Sequence, residues 1–543
     1  GINGLNNTQS MASWTFRKAP KFFDVVTYTG TGTAQNISHN LGSVPGCIIV
    51  KETGASSDWQ VYHRGLDSTA PEDYVIELNK TDDATNSASA WNDTAPTSTH
   101  FTVGTKNAVN GSGDSFVAYL FAHNDGDGEF GEDADQDIIK CGSYTGAGTV
   151  DLGFEPQWVL YKRTDSTGPW YLNDTMRGFP VDGNQAFLYA NTSDAESSGG
   201  GLINPTSTGF THINAGTYIY IAIRRGPMKT PEDATEVFAP LVRTGTASST
   251  TVTGFGFPID LVTSLFRSFS EDVWFDRLRG ASKQLKTTTS AAETSQSASI
   301  NGFDLMNGYR VGIDNVTNMT NGNTTSNGYL NYAFRRAPGF FDVVAYTGDG
   351  VAGRTVSHNL GAVPELMIVK KRNQASNWEV FVGSEGPTKR IYLDVANAIE
   401  TTSTAWNDTA PTETVFSLGT SSQTNQNGGT FIAYLFASVP GVSKVGSYTG
   451  NGTSQTIDCG FSTGARFVLT RRVNSTGNWN VWDSERGIVA GNDPRLELNT
   501  TDAEDTGHDY IDPDSSGFIV NYVADDNDDS NVSGDTYIFL AIA

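Results

Sequence analysis

The chain has 543 residues and a formal charge of −25 at pH 7, with a sequence pI near 4.6. Hydrophobic residues at 37% and aromatics at 11% suffice for packed cores, and the length calls for several domains. So acidic a surface repels phosphate backbones, which excludes non-specific nucleic-acid binding, and no apolar run is long enough to span a bilayer, which speaks against membrane insertion. Abundant Gly, Ser, Thr and Asn suit short strands joined by turns, and helical heptads are missing. Three cysteines (Cys47, Cys141, Cys459) are too few for a disulfide framework.

Residues 1–20 open the chain. The run "NNTQSMASWTFRKAPKFFD" (6–24) resembles "NGNTTSNGYLNYAFRRAPGFFD" (321–342), which closes a later module, so 1–20 are expected to be the last strand of a preceding module of that type. A lone strand has open edges, and two explanations compete. Either the natural chain extends upstream, or the strand completes a neighbouring subunit by strand addition.

Module 1 spans 21–123, with strands predicted near 24–29, 34–38, 46–52, 59–63, 74–79, 99–103 and 115–121. Its opening phrase "FFDVVTYTGTG" (22–32) returns as "FFDVVAYTGDG" (340–350), with "SYTGAG" and "SYTGNG" at Tyr144 and Tyr448 and a degenerate copy at Arg243. These markers lie about a hundred residues apart and define five modules. The YTGxG glycines are expected to supply the positive φ of a hairpin turn. An acidic linker at 124–136 follows. Within it Asp125, Asp127, Glu129, Asp133 and Asp135 are candidate Ca²⁺ ligands, with Asp125, Asp127, Gly128 and Phe130 at matching positions of a calcium loop. His123 and Ala134 stand where that loop needs acids, so a solvated linker is the competing reading. The acidic run 525–531 poses the same choice.

Module 2 covers 137–226, module 3 227–338, module 4 339–439 and module 5 440–543. Modules 1 and 4 share "SHNLG" and "AWNDTAPT", and modules 2 and 5 share "GSYTG" and an "STG.W" phrase, so the order of types is A-B-C-A-B. Each module holds a tryptophan about thirty residues after its marker: Trp59, Trp170, Trp274, Trp378 and Trp479. A large aromatic recurring at one place is expected to anchor the core, with a sugar-stacking platform as the alternative. Trp91 and Trp406, in the polar turn-rich "AWNDTAP", are expected to be the more exposed pair and the candidate ligand-binding residues. Each module closes on an alternating aromatic strand such as "FIAYLFA". The fold class is therefore all-β: five tandem antiparallel sandwiches, jelly-roll or lectin-like, with immunoglobulin-like sandwiches as the alternative. Short linkers predict a semi-rigid string of beads.

No nucleophile, zincin or phosphate-loop motif stands in a convincing context. His39 and His358 occupy the same place in "SHNLG", a repeat signature rather than a catalytic histidine. The expectation is a protein without enzymatic activity.

The phrases "YTGNGTSQTIDCGF" (448–461), "STGNWNVWDSERGIVAGNDPRLELNTTDAE" (475–504) and "YIFLAIA" (537–543), with "SHNLGAVPELMIVKKR" and "AWNDTAPT", resemble a repeat module of marine bacteriophage virion proteins, notably of phages of cyanobacteria. That resemblance implies a tail fibre or other projecting structural protein at the virion surface, outside the cell. It implies no catalytic residues. Expected partners are other virion proteins, copies of itself (a trimer is the guess) and host-surface polysaccharide, with no cofactor beyond the Ca²⁺ candidate. Module 3 departs from the pattern with "SFSEDVWFDRLRG". The alternatives are a decoration protein without a ligand, an extracellular filament subunit, and a polysaccharide depolymerase.

Overall fold

A computed structural model of the chain describes residues 11–181, 185–200, 202–268, 272–314, 317–318, 328–523 and 530–543. Nearly all regular structure is antiparallel β. In module 1 the strands are Phe23–Thr29, Gln35–Ser38, Pro45–Glu52, Gln60–His63, Tyr74–Glu77, Thr85–Asn86, His100–Val103 and Ser115–Ala122, close to the seven expected plus one short addition. Six form the large sheet, in the spatial order Phe23–Thr29, Ser115–Ala122, Pro45–Glu52, Gln60–His63, Tyr74–Glu77, Thr85–Asn86. Gln35–Ser38 and His100–Val103 pair as a small sheet over one face. Five such pairs of a large and a small sheet recur along the chain.

The closing strand of each module lies inside its large sheet, and this explains its composition. In Thr430–Phe436, the residues Phe431, Ala433 and Leu435 face the module's own interior, while Ile432, Tyr434 and Phe436 pack into a second core on the opposite face. Both faces are thus dry, which is why aromatic and β-branched residues run almost unbroken here.

The chain divides into two compact units, one of residues 1–179 with 184–226 and one of 180–183 with 227–543. In the first, modules 1 and 2 share a core that includes Phe121, Trp158, Trp170, Ile219 and Ile221. In the second, the large sheets of modules 3, 4 and 5 bury a common core holding Tyr332 and Phe334, Ile368 and Tyr434, and Leu469 and Leu540. Within each unit the beads-on-a-string expectation gives way to modules that share one core. The sandwich's second face must be covered by something apolar, and a neighbouring module covers it.

The YTGxG turns differ in part from expectation. The second glycine has positive φ (Gly32 72°, Gly350 74°, Gly452 74°). In these three modules the first does not; it is glycine because a Cβ on Gly30, Gly348 or Gly450 would lie 2.1–2.2 Å from a carbonyl oxygen of the facing turn. In module 2 the first glycine, Gly146, itself has positive φ (84°), as expected. That turn is stapled by an asparagine with no exposed surface: Asn110, Asn318, Asn425 and Asn531. Asn425 accepts from Asp349 N at 3.0 Å and donates to Val351 O and Gly419 O, both at 2.9 Å.

Candidate functional site

The recurring tryptophans do more than fill cores. The Trp170 indole donates to Glu77 O of module 1 (3.0 Å), Trp378 to Lys286 O of module 3 (2.9 Å), and Trp479 to Tyr392 O of module 4 (2.8 Å). Each therefore fastens its module to the one before it. A cation eight residues ahead reaches the same neighbour: Lys162 Nζ to Thr81 O (3.0 Å), Lys370 Nζ to Ser290 O (2.9 Å) and Arg471 Nη2 to Asn397 O (2.6 Å). Lys370 and Arg471 also lie 5.7 and 5.9 Å from the indole centroids of Trp378 and Trp479. Burial pulls the Lys162 and Lys370 ammonium groups down to about 8, so the carbonyl partners matter.

Strand register corrects the place of Trp274. Asp272, not Trp274, stands at the joint position, since Thr287 N bonds Asp272 O as Leu393 N bonds Trp378 O and Leu498 N bonds Trp479 O. Trp274 sits two residues on, donates to Asp272 Oδ2 at 2.6 Å, and packs edge-on against Trp378 and Tyr434. Asp272 has no exposed surface, and desolvation lifts its carboxyl to about 7. The Thr287 hydroxyl lies 2.5 Å from Leu498 O of module 5 and 3.1 Å from Asp272 Oδ2. One hydroxyl proton cannot serve both, so a protonated Asp272 donating to Thr287, which donates to Leu498 O, accounts for both contacts, while Asp272 Oδ1 has no partner among the described residues. Module 3 thereby meets module 5, and the three modules of the second unit close on one another. An apolar cavity of about 30 Å³ remains where they meet, lined by Trp274, Tyr332, Leu366, Ile368, Phe467 and Leu540 among others.

A second joint element lies at the Arg-Gly that ends the phrases "WYLNDTMRG", "WFDRLRG" and "WNVWDSERG". Asp174–Arg177, Asp276–Arg279 and Asp483–Arg486 are i,i+3 ion pairs, the last two without exposed side-chain surface. The neighbouring module completes two of them: the Tyr434 hydroxyl of module 4 donates to Asp276 Oδ2 (2.8 Å), and the Tyr332 hydroxyl of module 3 donates to Asp483 Oδ2 (2.9 Å). Modules 1 and 4 carry His63 and Val382 at the acid's position. The modules facing them place Ile221 and Leu540 at the tyrosine's position, so the A–B joints lack this tyrosine–carboxylate pair. In module 4 the corresponding phrase "WEVFVGSEG" has Glu385 in place of the Arg, part of the same change of joint chemistry.

Several expected site residues lie elsewhere. Trp91 and Trp406 are 2% and 1% exposed, with indoles donating to Tyr74 O (3.1 Å) and Lys389 O (3.0 Å); they are interior residues and offer no stacking face. The polar segment is the rim of a single helical turn at Ala88–Trp91 and of a non-helical turn at 404–408, each of which tucks its ring inward. In the acidic loop, Asp127 accepts from Asp125 N, Asp137 accepts from Gly126 N and Gly128 N, Glu129 pairs with Lys21, and Asp125 with Lys140. Asp133 and Asp135 are exposed, and no cluster of three metal-ligating side chains occurs among the described residues. Of the 525–531 run, residues 525–529 lie outside the described residues. His39 and His358 are buried, their rings spanning Leu41 N and Thr97 O, or Leu360 N and Thr412 O.

The chain is similar over residues 3–227 and 233–543 to the family described as Domain of unknown function (DUF7483), and it belongs to that family. The break between the two stretches falls at the boundary of the two compact units. No curated protein matches the chain.

Proposed function

We propose that this DUF7483 member is a non-enzymatic structural protein of a bacteriophage virion, a fibre or other projection at the particle surface. The observation that carries the reading is the joint written three times, at Trp170, Trp378 and Trp479. The most repeated residues of the sequence are spent on holding modules together, as assembly demands and turnover of a substrate does not. The phage-like phrases supply the virion setting, with other virion proteins and further copies of the chain as partners. Antibody against the chain should label intact purified particles; protein recovered only from the host fraction would sink the idea.

Host-glycan adhesion belongs to the same reading, through exposed loops rather than through Trp91 and Trp406. The burial of those two favours a second reading, decoration without a ligand. Purified chain that competes with particle adsorption to cells supports adhesion; labelled particles that adsorb unhindered support decoration. Release of oligosaccharide from host polysaccharide by the pure chain would favour a depolymerase instead.

A further inference from the structure

Module 1 carries the side chains with which module 4 holds module 3, yet they hold nothing of the kind. Strand registers place Trp59 at the position of Trp378 and Tyr119 at that of Tyr434, and Lys51 precedes Trp59 as Lys370 precedes Trp378. In module 4 all three are buried and donate to Lys286 O, Asp276 Oδ2 and Ser290 O of module 3. In module 1, Trp59 and Tyr119 are half-buried and stack on each other at 6.2 Å. Among the described residues, neither the indole N–H nor the hydroxyl has a hydrogen-bond partner. Lys51 turns back on its own loop, to Glu52 O (2.5 Å) and Ala55 O (3.0 Å).

Residues 11–20 provide an independent observation. Phe16 packs on Phe22, Phe23, Phe121 and Trp158, as Phe334 of module 3 packs on Phe340, Phe341, Phe436 and Phe467. The Trp14 indole donates to Asp174 Oδ2 at 3.2 Å, where the Tyr332 hydroxyl donates to Asp483 Oδ2 at 2.9 Å. This segment makes the module-to-module contacts of a C-type closing strand. In module 3 that strand, Gly328–Phe334, pairs with Phe238–Thr244 on one edge and Leu261–Phe266 on the other. Residues 11–18 pair with no strand among the described residues, and Met11 and Trp14 are 54% and 36% exposed.

We infer that modules 1 and 2, with residues 11–20, are an acceptor for the body of a C-type β-sandwich, a partner with the chemistry of module 3. Five features define it. It offers backbone carbonyls at the Lys286 and Ser290 positions to Trp59 and Lys51, a carboxylate at the Asp276 position to Tyr119, and two strand edges to residues 12–18. The inference does not depend on the virion reading.

The test supplies that partner covalently: residues 227–327 are joined ahead of residue 10 of the otherwise full chain, and amide hydrogen exchange is compared with that of the chain as it stands. Residues 12–18 should exchange about a hundredfold more slowly in the extended chain, and Trp59→Ala there should return about tenfold of that protection. Equal exchange in both chains overturns the inference. So does an added module that stays unprotected, because residues 12–18 are then not its missing strand. A dimer of the unextended chain that protects residues 12–18 and is lost in Trp59→Ala also overturns it, assigning the surface to a second copy.

Discussion

Asn425 shows how much one buried polar side chain can hold. It closes the turn of module 4 through three backbone groups, as Asn110 does through Thr31 N, Thr33 O and Gly104 O in module 1. Asn425→Ala leaves those groups unpaired in a dry site and should cost roughly 2–3 kcal/mol in a denaturant titration. The Asp276–Arg279 pair belongs to the same scale. Arg279→Met strands a carboxylate with no exposed surface and should cost about 3–5 kcal/mol, whereas Arg279→Met combined with Asp276→Leu should cost less than Arg279→Met alone. Equal losses in the single and double variants would show that packing, not the charge, is what the site provides.

Elements meet at the joints, and the joint tryptophans can be compared in two contexts. Trp378→Phe keeps a ring in the core but deprives Lys286 O of its donor, so it should destabilise the second unit by about 1–3 kcal/mol. Trp59→Phe removes no bond to a described residue from a half-buried ring and should cost less than about 0.5 kcal/mol. Hydrogen exchange read separately over modules 3 and 4 and over module 1 checks the contrast; matched losses would contradict the joint assignment. The closing strands behave accordingly: their odd and even residues serve different cores, so a polar substitution at Tyr434 or Leu435 damages different partners.

At the scale of the whole molecule, the two units should answer pH in opposite directions. In the second unit burial raises Asp272 and Glu379 to about 7 and Asp493 to about 6. Their unfolded counterparts ionise near pH 4, so the unfolded state holds fewer protons between about 4 and 7 and stability falls as pH rises through that window. In the first unit burial depresses His63 to about 3 and His123 to about 4, while unfolded histidine takes its proton near 6.5. There stability falls as pH drops below about 6.5. His358 in the second unit is depressed too and opposes the three carboxyls. Going from pH 7.5 to 5.5 should therefore protect the second unit and expose the first, after correction for intrinsic exchange rates. Asp272→Asn should flatten the second unit's response; an unchanged response would remove Asp272 from the account.

Strand positions and the all-β class could be read from residue order, because period-two patterning and turn chemistry are local. The double-sided burial of the closing strands was also there, in unbroken runs such as "FIAYLFA". What covers their second face was not, since an apolar face records only that water is excluded. The lysine or arginine eight residues before four of the five tryptophans was a legible signal without an evident partner. Asp272 at the tryptophan position could be found only from register, because the nearby Trp274 imitates the motif. Burial of Trp91 and Trp406 likewise escaped the sequence: a one-turn helix at Trp91 and a turn at Trp406 point each ring inward from a segment that is polar on either side. Tertiary structure decided which modules share a core, since the carbonyls, hydroxyls and carboxylates of these joints lie between 74 and 211 residues from their partners in the chain.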